Sequence, residues 1–381
     1  MRNKMKACLF YASTYLTFCF PYAYLQTYLE SVGYDVVQRG VMFSTAALIT
    51  IALQFIVGYL CDKYKTNRRF YNLLLLLFVV ISLFMYNYSE QVFFLHLVFS
   101  SFITALFRTG MSIQDAWTLE ISEDCNTNFS MIRAFGAVGW MIGTPIAAYV
   151  VNQFGYGYLA YAFAGLAVIN IIISMIVPDA EKPSDVVITM KDVKKLVSHK
   201  EFVIVTIIFL FINIIFTADN YTTVDKMLAL GASEQLVGYK WSLQALMELP
   251  LFFAGAFLLK KFGNSKLLLF GTLMYIIRFI GYSLVQTPEM MIGISLLQGV
   301  TFPLIMITSK TMVDQCTPAG LKSTGQSIAS GVYIGLSLLI TPAIAGYLIS
   351  VTSIDFTLLM IAALGVIPII LTLYLKKYKG V

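Results

Sequence analysis

Four charged residues fall inside stretches otherwise apolar enough to sit in lipid, and their spacing sorts them into pairs. Asp115 stands nine residues before position 124 and Arg133 nine residues after it. Glu248 and Arg278 likewise stand fifteen residues to either side of position 263. At about 1.5 Å rise per residue, each pair lies at equal depth on two antiparallel helices joined by a short turn. A charge left inside a bilayer costs on the order of 3 kcal/mol, so each is expected to face a partner or a watery path. Such groups can bind a solute, carry a proton, or form an ion pair that fixes helix packing. A guanidinium can hold a carboxylate and a hydroxylated ligand together. A carboxylate beside a mobile arginine can capture or release a proton as that arginine moves.

Other residues cluster around these pairs. Trp140 follows Arg133 by two turns on the same face, with Gly136, Gly139 and Gly143 beside it. As function it is a platform for a sugar ring; as structure it is a packing tryptophan, with glycines admitting a close neighbour. Tyr11, Tyr15, Phe18 and Tyr22 form a stripe at helical spacing. That stripe reads first as packing or an interfacial belt, and second as a cavity lining of hydroxyls and ring faces. Arg108, seven residues before Asp115, faces the same way. It lacks a carboxylate in its own stretch, so it pairs elsewhere or attracts an anion. Asp219, with Asn220 and Tyr221, is a further candidate for the cavity wall, and Lys310 and Asp314 are spaced as a local pair. Asp62, beside Lys63, Arg68 and Arg69, is a candidate gating latch between helix ends.

The elements that must hold these residues are membrane helices. Of 381 residues 59% are hydrophobic and only 12% charged, which leaves too little polar material to cover a water-facing surface. Spans are predicted at roughly 7–31, 37–60, 70–87, 91–119, 130–151, 157–178, 201–222, 236–259, 267–286, 289–314, 325–350 and 355–375. One long polar stretch, the linker 179–200, divides the chain into two six-helix halves, 1–178 and 201–381. Arg2, Lys4 and Lys6 run straight into the first span without a cleavage site, so that span is expected to be retained. Lysine and arginine collect in the loops on the side of both termini, leaving Arg39, Lys226 and Lys240 on the other. That asymmetry places both termini in the cytoplasm of a bacterial-type inner membrane. The sets GYLCDKYKTNRR and AFLLKKFGNSK occupy matching loops of the two halves. Paired halves of this kind suit a rocking transporter with its site at the midplane.

Two patches resemble a known family. GYLCDKYKTNRR resembles the signature of the major facilitator superfamily, departing from it with Lys65 where a glycine is usual. MIRAFGAVGW is similar to the fifth helix of the lactose permease-like oligosaccharide:proton symporters. The resemblance implies an all-α fold of twelve transmembrane helices in two pseudo-symmetric six-helix bundles. It also implies sugar contact by Arg133 and Trp140, a fourth-helix acid at Asp115, and the family's substrate-facing cysteine position at Ala137. Arg278 matches the ninth-helix arginine. The coupling glutamate of the eighth helix falls at Ala245, with Glu248 one turn on. The tenth-helix lysine, histidine and glutamate fall at Ser295, Gln298 and Thr301, and an eleventh-helix lysine falls near Ile334.

The sequence therefore points to a secondary transporter, with a proton symporter importing a small oligosaccharide or glycoside as the first reading. Transport of an organic anion, aromatic acid or nucleoside, or sugar uniport or export, is the alternative. The expected substrate contacts are Asp115, Arg133, Trp140, Arg108, Ala137, Tyr15 and Gln298. Glu248, Arg278 and Asp219 are expected to couple protons. With no P-loop, histidine cluster or Gly-x-Ser-x-Gly, neither ATP hydrolysis nor hydrolytic catalysis has residues to carry it. The five cysteines lack paired spacing, so no metal, cofactor or nucleic-acid partner is expected, and monomer is the default.

Overall fold

The computed structural model describes residues 2–179, 196, 198–317 and 322–379. Among them, helices make twelve crossings and there is no strand. The first crossing joins α1 (Arg2–Ala23) to α2 (Leu25–Ser31). It is followed by α3 (Val36–Tyr64), α4 (Arg68–Tyr86) and α5 (Phe93–Ile121). A short α6 (Glu123–Thr127) leads to α7 (Phe129–Phe154) and α8 (Tyr156–Ile176). The second half runs through α9 (Lys200–Ala229), α10 (Glu234–Phe262) and α11 (Asn264–Leu284). Its tenth crossing pairs α12 (Pro288–Ser295) with α13 (Gln298–Cys316), its eleventh is α14 (Lys322–Val351), and its last pairs α15 (Ile354–Leu364) with α16 (Val366–Lys379). Most of the predicted linker, including Lys182, Lys191, Lys194 and Lys195, lies outside the described residues.

Ten of the described crossings are long and apolar enough to span a bilayer by composition. The other two have the length but carry the charges that matter here: α1 opens on Arg2, Lys4 and Lys6, and α10 holds Lys240 and Glu248. Three predicted spans prove to be broken helices. In the tenth, Pro303 has no N–H for the carbonyl of Gly299 and crowds it, so the preceding turn tightens. There the chain closes i→i−3 bonds, from Leu296 to Gly293, Leu297 to Ile294, Gly299 to Leu296 and Val300 to Leu297. Pro368 stands in the same relation to the break between Leu364 and Gly365. The first crossing breaks at Tyr24, just past Pro21.

An even number of crossings puts both termini on one face, here called the terminal face, opposite the distal face. The apolar core falls into two large clusters and a small one of Ala7, Cys8, Tyr11, Cys125, Phe129 and Ile132. One large cluster is built from Phe10 to Val177 with the addition of Tyr221, the other from Leu196 to Leu375. Each half is thus packed about its own interior. The halves meet where α7 runs along α10 and α3 along α14. At the distal face that contact is close: a Cβ on Gly40 of α3 would fall 2.5 Å from the carbonyl oxygen of Pro342 on α14. Within the first half, α1 lies against α7 as the glycine-rich sequence of α7 leads one to expect. A Cβ on Gly139 would meet the carbonyl oxygen of Ala12 at 2.1 Å, so only glycine permits this approach.

Lys65, which stands where the superfamily signature has glycine, closes α3 at φ 52° and ψ 40°. It is the one non-glycine residue with positive φ among the described residues. Its left-handed geometry is what the usual glycine would supply without strain.

Candidate functional site

The first half brings its predicted residues to one wall of a central cleft. Asp115 on α5 accepts a 2.6 Å bond from the Tyr11 hydroxyl of α1. Arg133 on α7 reaches across the cleft to the Met306 sulfur of α13 at 3.4 Å, with the Tyr15 phenol beside its guanidinium. The ion pair expected between Asp115 and Arg133 does not close, because tyrosines of α1 take up the positions between them. Both side chains remain half-buried. Trp140 stands edge-on to Tyr15, with ring centroids 6.5 Å apart, and to Tyr22 at 6.4 Å. Ala137 lies half-buried one turn from each of Arg133 and Trp140. The tyrosine stripe is therefore half cleft wall, at Tyr15 and Tyr22, and half packing, with Tyr11 fully buried. Phe18, buried against Phe78 and Tyr71, is its other packed member.

Towards the terminal face the cleft widens to a pocket of ≈ 370 Å³ lined by Phe129, Arg133 and Ala134 of one half and Phe252, Met306, Ile307 and Lys310 of the other. Lys310 does not pair with Asp314 as expected. It lies over the Phe129 ring, 4.8 Å from its centroid, while Asp314 is held by Lys322 at 2.7 Å.

The second half corrects the other predicted pair. Arg278 is fully buried and its ion-pair partner is Asp219 of α9, at 2.6 Å, rather than Glu248. The remaining guanidinium donors go to the Tyr282 hydroxyl at 2.8 Å, the Thr301 hydroxyl at 3.2 Å and the Gln298 carbonyl oxygen. Gln298 then turns its amide nitrogen to Glu248 at 2.9 Å. Equal depth along two helices was satisfied, but the helix faces were not: α9 presents Asp219 directly to Arg278, and Gln298 fills the gap to Glu248. The result is one chain, Asp219–Arg278–Gln298–Glu248, crossing four helices. The second oxygen of Asp219 is buried and meets no donor.

Three basic residues assigned by sequence to the distal loops belong inside the protein. Arg39 on α3 is buried and pairs with Asp225 of α9 at 2.6 Å, on the same carboxylate oxygen that accepts from the Gln26 amide at 2.7 Å. Lys226 pairs with Asp355. Lys240 on α10 is 0% exposed, bonded to the Thr223 hydroxyl at 2.7 Å and set 3.7 Å from the centroid of the Trp241 ring. Lys226 lies beyond the predicted end of its span, while Arg39 and Lys240 fall just inside the ends of theirs and turn inward to partners, so the distal surface carries still less basic charge than the loop count implied. Arg39, Asp225 and Gln26 fasten the two halves together at the distal face. The signal for them was present in the sequence as charges near helix ends, but not their partners.

The predicted gating loop is tied within its own half. Arg68 donates to the Val177 carbonyl at 2.7 Å, and Asp179 accepts from the Thr66 hydroxyl at 2.5 Å and the Asn67 amide at 3.1 Å. Lys63 and Arg69 lie against the Tyr64 ring, and Asp62 is exposed. His96, towards the distal face, is buried with the Tyr34 hydroxyl 2.9 Å from its Nδ1. Among the described residues no group of acids, cysteines and histidines is arranged to hold a metal.

A twelve-crossing bundle with a polar cleft between two halves is the architecture of a solute carrier, and comparison with known proteins agrees. The profile of the MFS_1-like family matches residues 3–360. The chain belongs to the major facilitator superfamily. Among relatives of this major facilitator, the maltose permease of Geobacillus stearothermophilus is 22% identical over 97% of this chain and 93% of the permease. A putative nucleoside transporter of Escherichia coli (strain K12), YegT, is 22% identical over 80% of this chain and 74% of its own. In structure the chain is similar to the nucleoside transporter NupG, with a TM-score of 0.81 at 12% identity over 99% and 100% of the two chains. It is also similar to a bacterial homologue of the human lysosomal transporter Spinster in an inward-facing, unoccupied conformation, at a TM-score of 0.76 and 10% identity over 99% and 96%. These solved structures share the fold. The protein is a multi-pass membrane transporter of the major facilitator kind and not an enzyme.

Proposed function

We propose that this transporter is a proton symporter that imports a small glycoside, acting as a monomer with its terminal face in the cytoplasm. The observation that carries the reading is the wall formed by Trp140, Tyr15, Asp115 and Arg133. Its two charges are satisfied by tyrosines and a thioether rather than by each other. Weak partners of that kind can be exchanged for sugar hydroxyls, and the edge of a tryptophan box suits the apolar face of a sugar ring. The maltose permease relative supports the same class of solute. A nucleoside, itself a glycoside, is the second reading, favoured by the relative named as a putative nucleoside transporter.

In this reading Glu248 carries the proton and Gln298 reports its state to Arg278 and Asp219. Protonation of Glu248 changes what the Gln298 amide can donate to, and so biases the position of the guanidinium that Gln298 also holds. Residues 1–178 and 201–381 rock about the linker 179–200. The Arg39–Asp225 latch closes the distal face, while the Asp62–Arg69 loop forms its latch at the terminal face in the alternate state.

A pH electrode in de-energised vesicles tests the whole reading. Adding a glycoside is expected to alkalinise the medium in wild type, and the signal is expected to vanish in Arg133→Ala and Glu248→Gln. Labelled glycoside entering without proton movement would reduce the Glu248 chain to a structural network, and indifference of uptake to Arg133→Ala would remove the binding wall.

A further inference from the structure

Arg108 is the interior arginine without an acid. Arg39 and Arg278 are each closed on a carboxylate, and Arg133 shares its wall with Asp115. Among the described residues Arg108 forms no ion pair, and the groups facing it are the phenols of Tyr22 and Tyr221. Its one hydrogen bond is to the Tyr22 hydroxyl at 3.3 Å, and its Nε has no partner. The Tyr221 hydroxyl, on a side chain only 8% exposed, stands beside Tyr22 and Arg108 yet bonds to neither. Arg108 and Tyr22 belong to the first half and Tyr221 to the second, so this unsatisfied cluster straddles the joint between halves.

Its surroundings are aromatic. Tyr22 stacks on Phe107 with centroids 3.8 Å apart and planes 4° from parallel, and Trp140 stands 6.0 Å from Phe107. Phe43 packs on the Tyr221 ring at 4.6 Å. The cluster is also separate from the Asp115 wall. Arg108 and Asp115 are seven residues apart on one helix, about 10 Å along its axis. The negative charge of Asp115 is therefore not placed to serve the guanidinium. A buried donor set with no acceptor of its own costs several kcal/mol in hydrocarbon surroundings unless something supplies that acceptor.

We infer that Arg108, Tyr22 and Tyr221 form an anion subsite, and that the transported solute carries an acid group, a carboxylate or a phosphate monoester, which binds there. This rests on the glycoside reading above and narrows it to an acidic glycoside, with the ring portion reaching Trp140 and the Arg133 wall. The subsite adjoins the distal latch: Asp225 lies one turn beyond Tyr221, and Gln26 bonds to both Asp225 and the Tyr221 carbonyl. An acid held by donors from both halves draws the distal face shut as it binds.

The test is ligand binding to the full chain in detergent, read by tryptophan fluorescence and thermal shift, with probe pairs differing only in the acid. The pairs are methyl glucoside and methyl glucuronide, uridine and its 5′-monophosphate, and benzyl alcohol and benzoate. Wild type is expected to bind the acidic member of at least one pair tenfold or more tightly, with the first and second pairs distinguishing carboxylate from phosphate. Arg108→Gln is expected to abolish that preference, bringing the ratio of acid to neutral affinity to about one. Tyr221→Phe is expected to reduce it in part, and Arg108→Lys to retain some of it. Equal binding of acid and neutral forms by wild type overturns the subsite while leaving the glycoside reading intact. So does a preference that survives Arg108→Gln, and so does failure of every probe to bind. An acid preference confined to the benzoate pair keeps the subsite and instead removes the glycoside.

Discussion

In the first half, Asp115 and Arg133 end on a tyrosine and a thioether and stay half-buried along the cleft. In the second half, Asp219 and Arg278 close a buried ion pair whose remaining donors all find hydroxyl or amide partners. The same residue types in the two halves thus have two different environments. Charges satisfied by replaceable neighbours can release them to a solute, whereas charges satisfied by one another are fixed in place and respond to their own protonation. The difference matches the proposed division of recognition in the first half and coupling in the second, and it is open to direct attack.

The largest effect is expected from Arg278→Ala, which strands the Asp219 carboxylate in a dry interior and should cost about 3–5 kcal/mol. A fluorescence melt in detergent would show the midpoint fall by many degrees; an unchanged midpoint would mean the second-half pair is as exchangeable as the first. Arg133→Ala should do the reverse. Uptake is expected to drop by about a hundredfold, the equivalent of roughly 2.7 kcal/mol of lost solute binding, while the melt moves little. A matched loss of stability would erase the distinction between halves. Next comes the contact that joins them. Asp225→Asn removes the anion that holds Arg39, and a cysteine placed at Phe43 should then react with an impermeant maleimide about tenfold faster as the distal face opens. The background for that labelling is favourable, since all five native cysteines are buried. The smallest effect is local: Lys65→Gly relieves a left-handed backbone and should raise stability by about 0.5–1 kcal/mol, a shift of a degree or two in the melt.

The fold was largely written in the chain. Apolar runs of spanning length, the polar linker and the basic loops led to twelve crossings in two halves, and Gly139 marked the close approach of α1 to α7. Depth within the membrane was also readable, because counting residues from a turn measures it. Facing was not. Counting placed Glu248 opposite Arg278, but rotation of α9 about its axis decides which carboxylate reaches the guanidinium, and Asp219 and Gln298 won those places. For the same reason Arg39, Lys226 and Lys240 were read as surface charges: a charge near the end of an apolar run looks like loop until a partner such as Asp225 or Asp355 is seen across a helix joint. Tyr22 and Tyr221 were visible as members of polar stretches, but their convergence on Arg108 depends on two halves meeting and has no local signal.

The break in the tenth crossing bears on all of this through simple length. A residue in a tight i→i−3 turn advances about 2.0 Å along the axis, against about 1.5 Å in an α-helix. Four residues, Leu296, Leu297, Gly299 and Val300, donate such bonds immediately around Gln298. Winding four residues from one geometry to the other shortens the rod by about 2 Å and turns everything beyond it, since three residues per turn become 3.6. Met306 and Lys310, which touch Arg133 and Phe129 of the other half, ride on the far side of that break. A screw motion of α13, one rod sliding and rotating in its sleeve, would thus connect the Gln298 amide to the wall proposed to hold the solute.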